Sequence, residues 1–200
     1  MTMNSSYGDM GLDHFLRALA AREPAPGGGA VAGVAIAMSA GLVAMAARFS
    51  ERTLDASQVV AQRAEQLQRR AMTLAEEDAC AYRSVLEAYA LPRDDDAEAR
   101  RAAIRAALRT AADVPLQIAA AGNDVAAMAV RLVARGNRNL EGDAYAAVCI
   151  ASAAVRSAAA LVRLNVNAGQ LETQLADRAA ELVSAAENAS HRADEVSRRG

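Results

Sequence analysis

The residues from 24 to 47, PAPGGGAVAGVAIAMSAGLVAMAA, form the longest run of this chain without a charged side chain. Two prolines end the preceding segment, and the three glycines after them leave the backbone free to turn before a run of good helix formers. Gly29, Gly33, Ala37 and Gly41 recur every four residues and therefore lie on one face of that helix. The pattern predicts a buried helix, extending to about Ser50, whose small residues let another backbone come close.

This glycine-rich start has three interpretations. The glycines permit close helix packing, or the unpaired N–H groups of the first helical turn bind an anion or the electron-rich edge of a ligand. The spacing matches neither a P-loop nor a dinucleotide-binding turn, which favours packing. The third interpretation is a membrane span, because the run is about as long as a bilayer requires, although its alanine and glycine content argues against one.

Alanine makes up roughly a quarter of the 200 residues, and the chain has only four prolines. Alanine has the best intrinsic helix propensity, so one all-α domain is expected over residues 1–200. We predict an antiparallel bundle of five to six helices around two buried Gly/Ala-rich helices, the second of which follows Asp143. Small side chains bury little area each, which predicts a dimer that adds to the core.

Hydrophobic periodicity sets the expected boundaries. It predicts helical segments over residues 9–21, 27–50, 55–89, 97–112, 116–134, 144–161 and 170–199. Asp9 is the expected cap of the first, and the aspartates at 94–96 are the expected caps of the fourth. Pro115 predicts a fresh start or a kink. Residues 1–8 and 191–200 are expected to be flexible.

Composition excludes several classes of function. The net charge of −2 gives no electrostatic support for nucleic-acid binding, and the absence of lysine excludes Schiff-base chemistry. Cys80 and Cys149 stand alone, without a CxxC pair or a nearby histidine, so we predict buried thiols and no metal site. The N-terminus carries no secretion signal, which predicts a cytoplasmic protein, and no membrane partner is expected.

Several polar residues beside the apolar runs are not explained by packing. They are Arg48, Asp143, Asn165 and Asn167. Asp78 and Tyr82 are four residues apart on the third predicted helix and therefore share a face. Ionisable groups at such edges are candidates for function, although a helix cap explains Asp143 equally well.

Four segments together resemble the cyclodeaminase and cyclohydrolase family of folate enzymes. They are FLRALAAREPAPGGGAVAG, DACAYRSVLEAYALPRD, AADVPLQIA and RGNRNLEGDAYAAVCIASAAVRSAAALVRLNVN. Their order and approximate spacing agree with that family from about Phe15 to Asn167, with one further alanine after Ala159. Each segment alone is weak, but four in order are fairly specific.

The resemblance implies an all-α, dimeric enzyme that binds a tetrahydrofolate derivative in a groove near the subunit interface, without a tightly bound cofactor. In the cyclohydrolase, water adds to the amidinium carbon of 5,10-methenyltetrahydrofolate and opens the ring to the 10-formyl form. In the cyclodeaminase, nitrogen 10 closes onto a formimino carbon and ammonia leaves. The lack of a transferase domain in this chain favours the cyclohydrolase.

The resemblance also implies roles for individual residues. Asp143 or Asp78 is the expected acid and base, because a carboxylate stabilises the amidinium and accepts a proton. Tyr82 and three asparagines, Asn137, Asn165 and Asn167, are expected to hydrogen-bond the ligand. The ligand is also expected to meet the glycine turn, Gly27, Gly28 and Gly29, and Arg48 is expected to bind the glutamate tail.

The chain departs from the family pattern at three places. Ala30 and Gly142 stand where the family has serine, and residues 50–53 replace a lysine-rich segment. These changes remove polar groups that contact substrate or take part in catalysis in such a site. The alternative function is therefore a diverged, non-catalytic helical module for binding or assembly.

Overall fold

Six α-helices make up most of the part of the chain that the structure describes. The computed structural model describes residues 6–93 and 97–198. The helices are α1 (Leu12–Ala20), α2 (Gly28–Arg48), α3 (Ser57–Ala90), α4 (Ala97–Arg135), α5 (Glu141–Gly169) and α6 (Gln174–Ser197), with a 3-10 turn at Arg138–Leu140 before α5. The described residues contain no β-strand, so the predicted all-α class is confirmed.

Small residues set how closely the helices approach. A Cβ on Gly33 of α2 would lie 2.9 Å from the carbonyl oxygen of Ala71 on α3, which is closer than real Cβ atoms come. A Cβ on Gly122 of α4 would lie 2.7 Å from Val155 on α5 and 2.8 Å from Ile36 on α2. Glycine at these positions therefore lets α2 pack closely on α3, and lets α2, α4 and α5 meet at one point.

The helices α2 and α5 run antiparallel, side by side. At one end, Gly28 lies beside Leu161. A Cβ added to Gly28 would be 4.0 Å from the Leu161 side chain, which is an ordinary van der Waals distance. At the other end, Asn137, just before α5, donates its side-chain amide to the carbonyl oxygen of Phe49 at 3.0 Å. Its backbone N–H donates to Ser50 Oγ at 2.9 Å. These contacts fix the two ends of the pair.

Several boundaries differ from the sequence prediction: α5 continues to Gly169 rather than ending at about Leu161, and α6 begins at Gln174 rather than Gln170. The first helix begins at Leu12 with Gly11 as its cap, so the prediction of Asp9 as the cap was wrong. The N–H of Asp9 instead donates to the carbonyl oxygen of Ser6 in a preceding turn. Of the two alternatives predicted at Pro115, the fresh start was wrong, because α4 continues through this proline. The kink stays a prediction.

The two cysteines are exposed, so the prediction of buried thiols was wrong. Helix faces explain the difference. Cys80 follows the buried Ala79 on α3, where it accepts a hydrogen bond from the guanidinium of Arg83 at 3.1 Å. Cys149 follows the buried Val148 on α5. Successive residues of a helix point about 100° apart, so a thiol next to a buried residue can face solvent.

Three expectations about the chain ends and a cap fall wholly or partly outside the described residues. The aspartates at 94–96 lie outside them, as do residues 1–5 and 199–200. Of the segments predicted to be flexible, the described parts make specific contacts: Ser6 Oγ donates to Glu76 Oε1 at 2.5 Å, and α6 continues to Ser197. Their flexibility stays a prediction.

Candidate active site

A cavity of about 420 Å³ opens at the N-terminal end of α2. Its walls are formed by residues 23–25 and 27–29, Asp78, Ala79, Tyr82, Ala111, Leu161, Leu164 and Asn165. The volume is within the range of small-molecule sites. Four separate parts of the chain converge here: the turn before α2, the second half of α3, the middle of α4 and the last turns of α5.

The carboxylate of Asp78 occupies the first turn of α2. Gly27 is the N-cap residue of that helix and has no side chain of its own with which to cap it. The backbone N–H of Ala30 donates to Asp78, and a Cβ on Gly29 would fall on the carboxylate itself. The glycine is required because an acidic side chain of α3 takes the place where an anionic ligand would otherwise meet the helix N-terminus.

Burial raises the pKa of Asp78 to about 6, and the hydrogen bond from the Ala30 N–H lowers it by less. Desolvation disfavours the charged form, whereas the N–H donor favours it. A carboxyl group with a pKa near neutrality exchanges its proton readily at physiological pH. Asp78 is therefore suited to both accepting and returning a proton.

Tyr82 lies one helical turn after Asp78 on the same face of α3. Its side chain is 46% exposed and lines the cavity, as the i, i+4 spacing in the sequence predicted. The ring therefore forms one rim of the cavity, with its hydroxyl available to solvent or to a ligand.

Asn165 compensates for the proline inside α4. Pro115 has no N–H to give to the carbonyl oxygen of Ala111, four residues earlier. Asn165 Nδ2 donates to that oxygen instead, at 2.6 Å. The amide nitrogen is thus committed to the backbone of α4, and this contact holds the side chain at the cavity wall.

The charges of the cavity wall are negative. Glu23 and Asp78 contribute carboxyl groups, and no lysine, arginine or histidine stands among the residues described as lining it. The remaining surface is mostly backbone and aliphatic side chains. A low-polarity site with acidic groups favours a cationic or amidinium-like ligand over an anionic one.

The other predicted site residues lie elsewhere. Asn167 is exposed and does not line the cavity, although it lies two residues from Asn165. Asp143, Asn137 and Arg48 lie at the opposite end of the α2 and α5 pair. Asp143 precedes Leu161 by 18 residues of α5, which is about 27 Å along the helix.

Two of these distant residues have structural partners of their own. Asn137 holds the turn before α5, since its side chain donates to Phe49 and accepts from the N–H of Asn139 at 3.0 Å. Arg48 is half-exposed and forms an ion pair with Glu65. Their assignment to a substrate site therefore stays a prediction.

Sequence reasoning missed several residues at the cavity. Leu161 lies one helical turn before Asn165, and Leu164 immediately precedes it; only the periodicity of α5 pointed to these two residues. Glu23 gave no signal beyond its place before a proline. Tyr7 also lies near: burial raises the pKa of its phenol, and Asp78 is among the charges that raise it further, while Arg83 lowers it.

A second polar cleft, of about 400 Å³, lies between α5 and α6. Its groups bond largely to each other. Tyr145 donates its hydroxyl to Asp194 at 2.5 Å, which raises the pKa of Tyr145 to about 12, and Ser190 donates to Ser152 Oγ at 2.9 Å. These bonds join two helices. Within residues 6–93 and 97–198, no three His, Cys, Asp or Glu side chains lie close enough to share a metal ion.

Comparisons with known proteins identify relatives. The model of the family described as formiminotransferase-cyclodeaminase matches residues 11–187. A protein of Methylorubrum extorquens named methenyltetrahydrofolate cyclohydrolase is 37% identical over 167 residues, which cover 79% of this chain and 80% of that protein. The formimidoyltransferase-cyclodeaminase of Gallus gallus is 29% identical over 163 residues, covering 78% of this chain but only 30% of that longer protein.

A solved structure shares the fold. The formiminotetrahydrofolate cyclodeaminase of Thermotoga maritima superposes with a TM-score of 0.83, covering 94% of this chain and 96% of that one. The two sequences are 24% identical. At this identity the likeness supports the arrangement of helices.

Proposed function

The chain belongs to the formiminotransferase-cyclodeaminase family, and we propose that it is a folate one-carbon enzyme that hydrolyses 5,10-methenyltetrahydrofolate to 10-formyltetrahydrofolate. The relative from Methylorubrum extorquens, which aligns over most of both chains, carries the name of this activity. The tetrahydrofolate derivative is the substrate, and no tightly bound cofactor takes part in the proposed reaction.

The observation that carries the proposal is the environment of Asp78. Its carboxyl group lies in a cavity with no basic side chain in its described lining, at the start of α2, with a pKa of about 6. The methenyl substrate is a cation at the carbon that reacts. A carboxylate beside this carbon stabilises the positive charge and accepts the proton of the attacking water.

The proposed reaction needs one residue that moves protons. Asp78 takes a proton from water as the oxygen bonds to the amidinium carbon between nitrogens 5 and 10. The bond from this carbon to nitrogen 5 then breaks, and Asp78 returns its proton to nitrogen 5. The hydroxyl group on the carbon loses its proton to solvent and becomes the formyl oxygen. One water enters and one proton leaves.

The other cavity residues hold the substrate in this proposal. Tyr82 offers a hydroxyl at the rim, and Asn165 offers its side-chain oxygen, because its nitrogen is bonded to Ala111. Leu161 and Leu164 supply apolar surface for a flat ring. Gly28 and Gly29 keep the backbone wall of the cavity free of side chains.

The second candidate reaction is that of the cyclodeaminase. Relatives with this word in their names match the chain at 29% and 24% identity. The same carboxyl group would then accept the proton of nitrogen 10 and return it to the leaving ammonia. Ala30 and Gly142, in place of the family's serines, also leave open the non-catalytic module as the contrasting function.

Ultraviolet absorbance tests the proposal. Methenyltetrahydrofolate absorbs where its formyl product does not, so the decay of absorbance with and without protein measures hydrolysis. The formimino substrate run in parallel gives the opposite signal, because it forms the methenyl compound. We expect the protein to accelerate the hydrolysis of methenyltetrahydrofolate. We also expect Asp78→Asn to abolish this acceleration. If the protein accelerates neither reaction and binds no folate, the non-catalytic module is the function that remains.

A homodimer and a cytoplasmic location belong to the same proposal. The small side chains of the core and the exposed apolar residues Val31, Met38 and Phe49 on α2 support the dimer as a proposal. The location stays a prediction from the sequence.

A further inference from the structure

The segment before α1, residues 6–10, lies against the half of α3 that carries Asp78. Ser6 Oγ donates a hydrogen bond to Glu76 Oε1 at 2.5 Å, and the backbone N–H of Tyr7 donates to the same oxygen at 3.0 Å. Glu76 is two residues before Asp78 on α3. One carboxylate oxygen thus holds two successive residues of the segment beside the part of the helix that enters the cavity.

The ring of Tyr7 also packs on α1. It meets the ring of Phe15 edge to face, with 5.5 Å between the ring centroids and an angle of 74° between the planes. Phe15 is the buried residue of α1, at 7% exposed. Aromatic pairs with this geometry contribute stability beyond the area they bury. We call residues 6–10 the N-terminal clasp, because the segment contacts α3 through Glu76 and α1 through Phe15.

The phenol of Tyr7 is partly buried and lies among polar side chains of α3. Four of these are close enough for their charges to affect its pKa, namely Glu76, Asp78, Cys80 and Arg83. Burial is the largest cause and raises the pKa, so the hydroxyl stays protonated at physiological pH. Asp78 acts on the phenol through its charge alone. The clasp therefore brings an aromatic ring near the carboxyl group of Asp78 without bonding to it.

The surroundings of Asp78 make this ring important. Burial raises the pKa of Asp78, and the N–H of Ala30 lowers it by less. The titratable and charged groups around the carboxyl group are Glu23 before α2, Glu76, Cys80, Tyr82 and Arg83 on α3, and Tyr7 in the clasp, whereas α2, α4 and α5 face it with uncharged residues. The proton affinity of Asp78 therefore depends mainly on how completely its neighbours exclude water.

We propose that the N-terminal clasp belongs to the active site and that Tyr7 is a positioning residue, which acts through Asp78 by keeping water away from its carboxyl group. The family match begins at residue 11, so the clasp precedes the matched part of the chain. The inference rests on the proposed function for the catalytic role of Asp78. Its geometry rests on the contacts of the clasp with Glu76 and Phe15.

Titration of Asp78 by carbon-13 NMR tests the shielding without any need for activity. The carboxyl carbons of aspartate are labelled, and Asp78→Asn identifies the signal of Asp78. In the wild type this signal should titrate near pH 6. In Tyr7→Ala the midpoint should fall by about half a pH unit or more, because water reaches the carboxyl group. Tyr7→Phe keeps the ring and should titrate as the wild type does.

Two results of this titration would overturn the proposal. An unchanged midpoint in Tyr7→Ala, with the protein folded by circular dichroism, would mean that the ring does not shield Asp78. An equal fall in Tyr7→Ala and Tyr7→Phe would assign the effect to the hydroxyl rather than to exclusion of water by the ring.

A second pair of variants tests the clasp with the ring of Tyr7 intact. Glu76→Ala removes the oxygen that holds the clasp on α3, so the midpoint of Asp78 should fall as it does in Tyr7→Ala. Glu77→Ala is the matched control, because it removes the same charge from the next position of α3, where Glu77 pairs with Arg70. A shift in Glu76→Ala alone supports the clasp. Equal shifts in both variants would be an effect of charge and would refute the role of the clasp.

Kinetics connect the shielding to the proposed reaction. In Tyr7→Ala the inflection of kcat/KM near pH 6 should move to lower pH by the same amount as the NMR midpoint. At pH 8 its kcat should fall by about two-fold or more, because a less basic carboxylate accepts a proton less readily. KM should change less, since Tyr7 is not among the described residues that line the cavity.

The two readouts separate the two claims. A loss of activity in Tyr7→Ala without a shift of the inflection or of the NMR midpoint would make the clasp merely structural and overturn the proposal. A wild type that shows the expected NMR midpoints but no folate activity would refute the proposed function and leave the shielding of Asp78 supported.

Discussion

The carboxylate of Asp78 lies against Gly29, in space that the Cβ of any other residue would occupy. This contact joins α3 to the first turn of α2 and shields much of the acidic side chain from water. The same contact gives Asp78 a backbone donor at Ala30. Several consequences of this arrangement are measurable.

Asp78→Asn should remove activity and increase stability. The pKa of Asp78 is raised from 3.8 to about 6 in the folded chain, so its ionisation opposes folding progressively between about pH 4 and pH 6 and fully above pH 6. The Asp78 side chain is partly exposed, so solvent screening reduces the energy that corresponds to this pKa shift. Asp78→Asn should therefore raise the free energy of unfolding by about 1–2 kcal/mol at pH 7.5. Thermal unfolding at pH 7.5 and pH 4 checks this, since the gain should vanish below pH 4. A less stable variant at pH 7.5 would contradict it.

The pH dependence of kcat/KM should follow the ionisation of Asp78. If the carboxylate accepts the proton of water, the free enzyme loses activity as the pH falls through about 6. Initial rates from pH 5 to pH 8 measure the inflection. A rate that stays constant down to pH 5 would mean that another group is the base.

Gly29→Ala should reduce kcat by 100-fold or more, in the range expected for a misplaced catalytic group. The added methyl group displaces the carboxylate of Asp78, because the two cannot share the same space. Gly11→Ala is the control, since a Cβ there meets nothing within 4 Å. Gly33→Ala separates α2 from α3 without touching Asp78, so it measures the effect of lost packing alone. Normal kcat in Gly29→Ala would refute the positioning role.

Asn165→Ala should destabilise the fold by about 1–3 kcal/mol, because the carbonyl oxygen of Ala111 loses its donor. In a Pro115→Ala background the helix regains its own N–H, so the same change should cost less. Thermal or urea unfolding of the four proteins measures this coupling. Asn167→Ala is the control and should have little effect on stability, because Asn167 is exposed. Equal costs in both backgrounds would show that Asn165 does not replace the missing donor.

Local pattern predicted much of this protein. The alanine content and helical periodicity gave the all-α class, and the spacing of Asp78 and Tyr82 placed both on one wall of the cavity. The glycines before α2 predict either close helix packing or a ligand at the helix N-terminus. In the structure a side chain of the chain itself, Asp78, occupies that place.

Other features had no local signal. Pro115 alone predicts a break, and α4 continues because Asn165, 50 residues later, donates to the carbonyl oxygen of Ala111. Asn165 and Asn167 are indistinguishable in the sequence, but the rotation of α5 turns one to the cavity and the other to solvent. Asp143 and Asp78 are both expected from the sequence to be the acid and base. In the structure Asp78 lines the cavity, whereas Asp143 lies at the other end of α5.

The sequence by itself determined which segments are helical, where most of the helices begin, and which family the chain belongs to, because these depend on propensity, periodicity and short motifs. Only the tertiary structure decided which carboxylate lies in the cavity and how its proton affinity is set. Burial and hydrogen bonding arise from residues that are distant in the chain, and no local pattern records which of them meet.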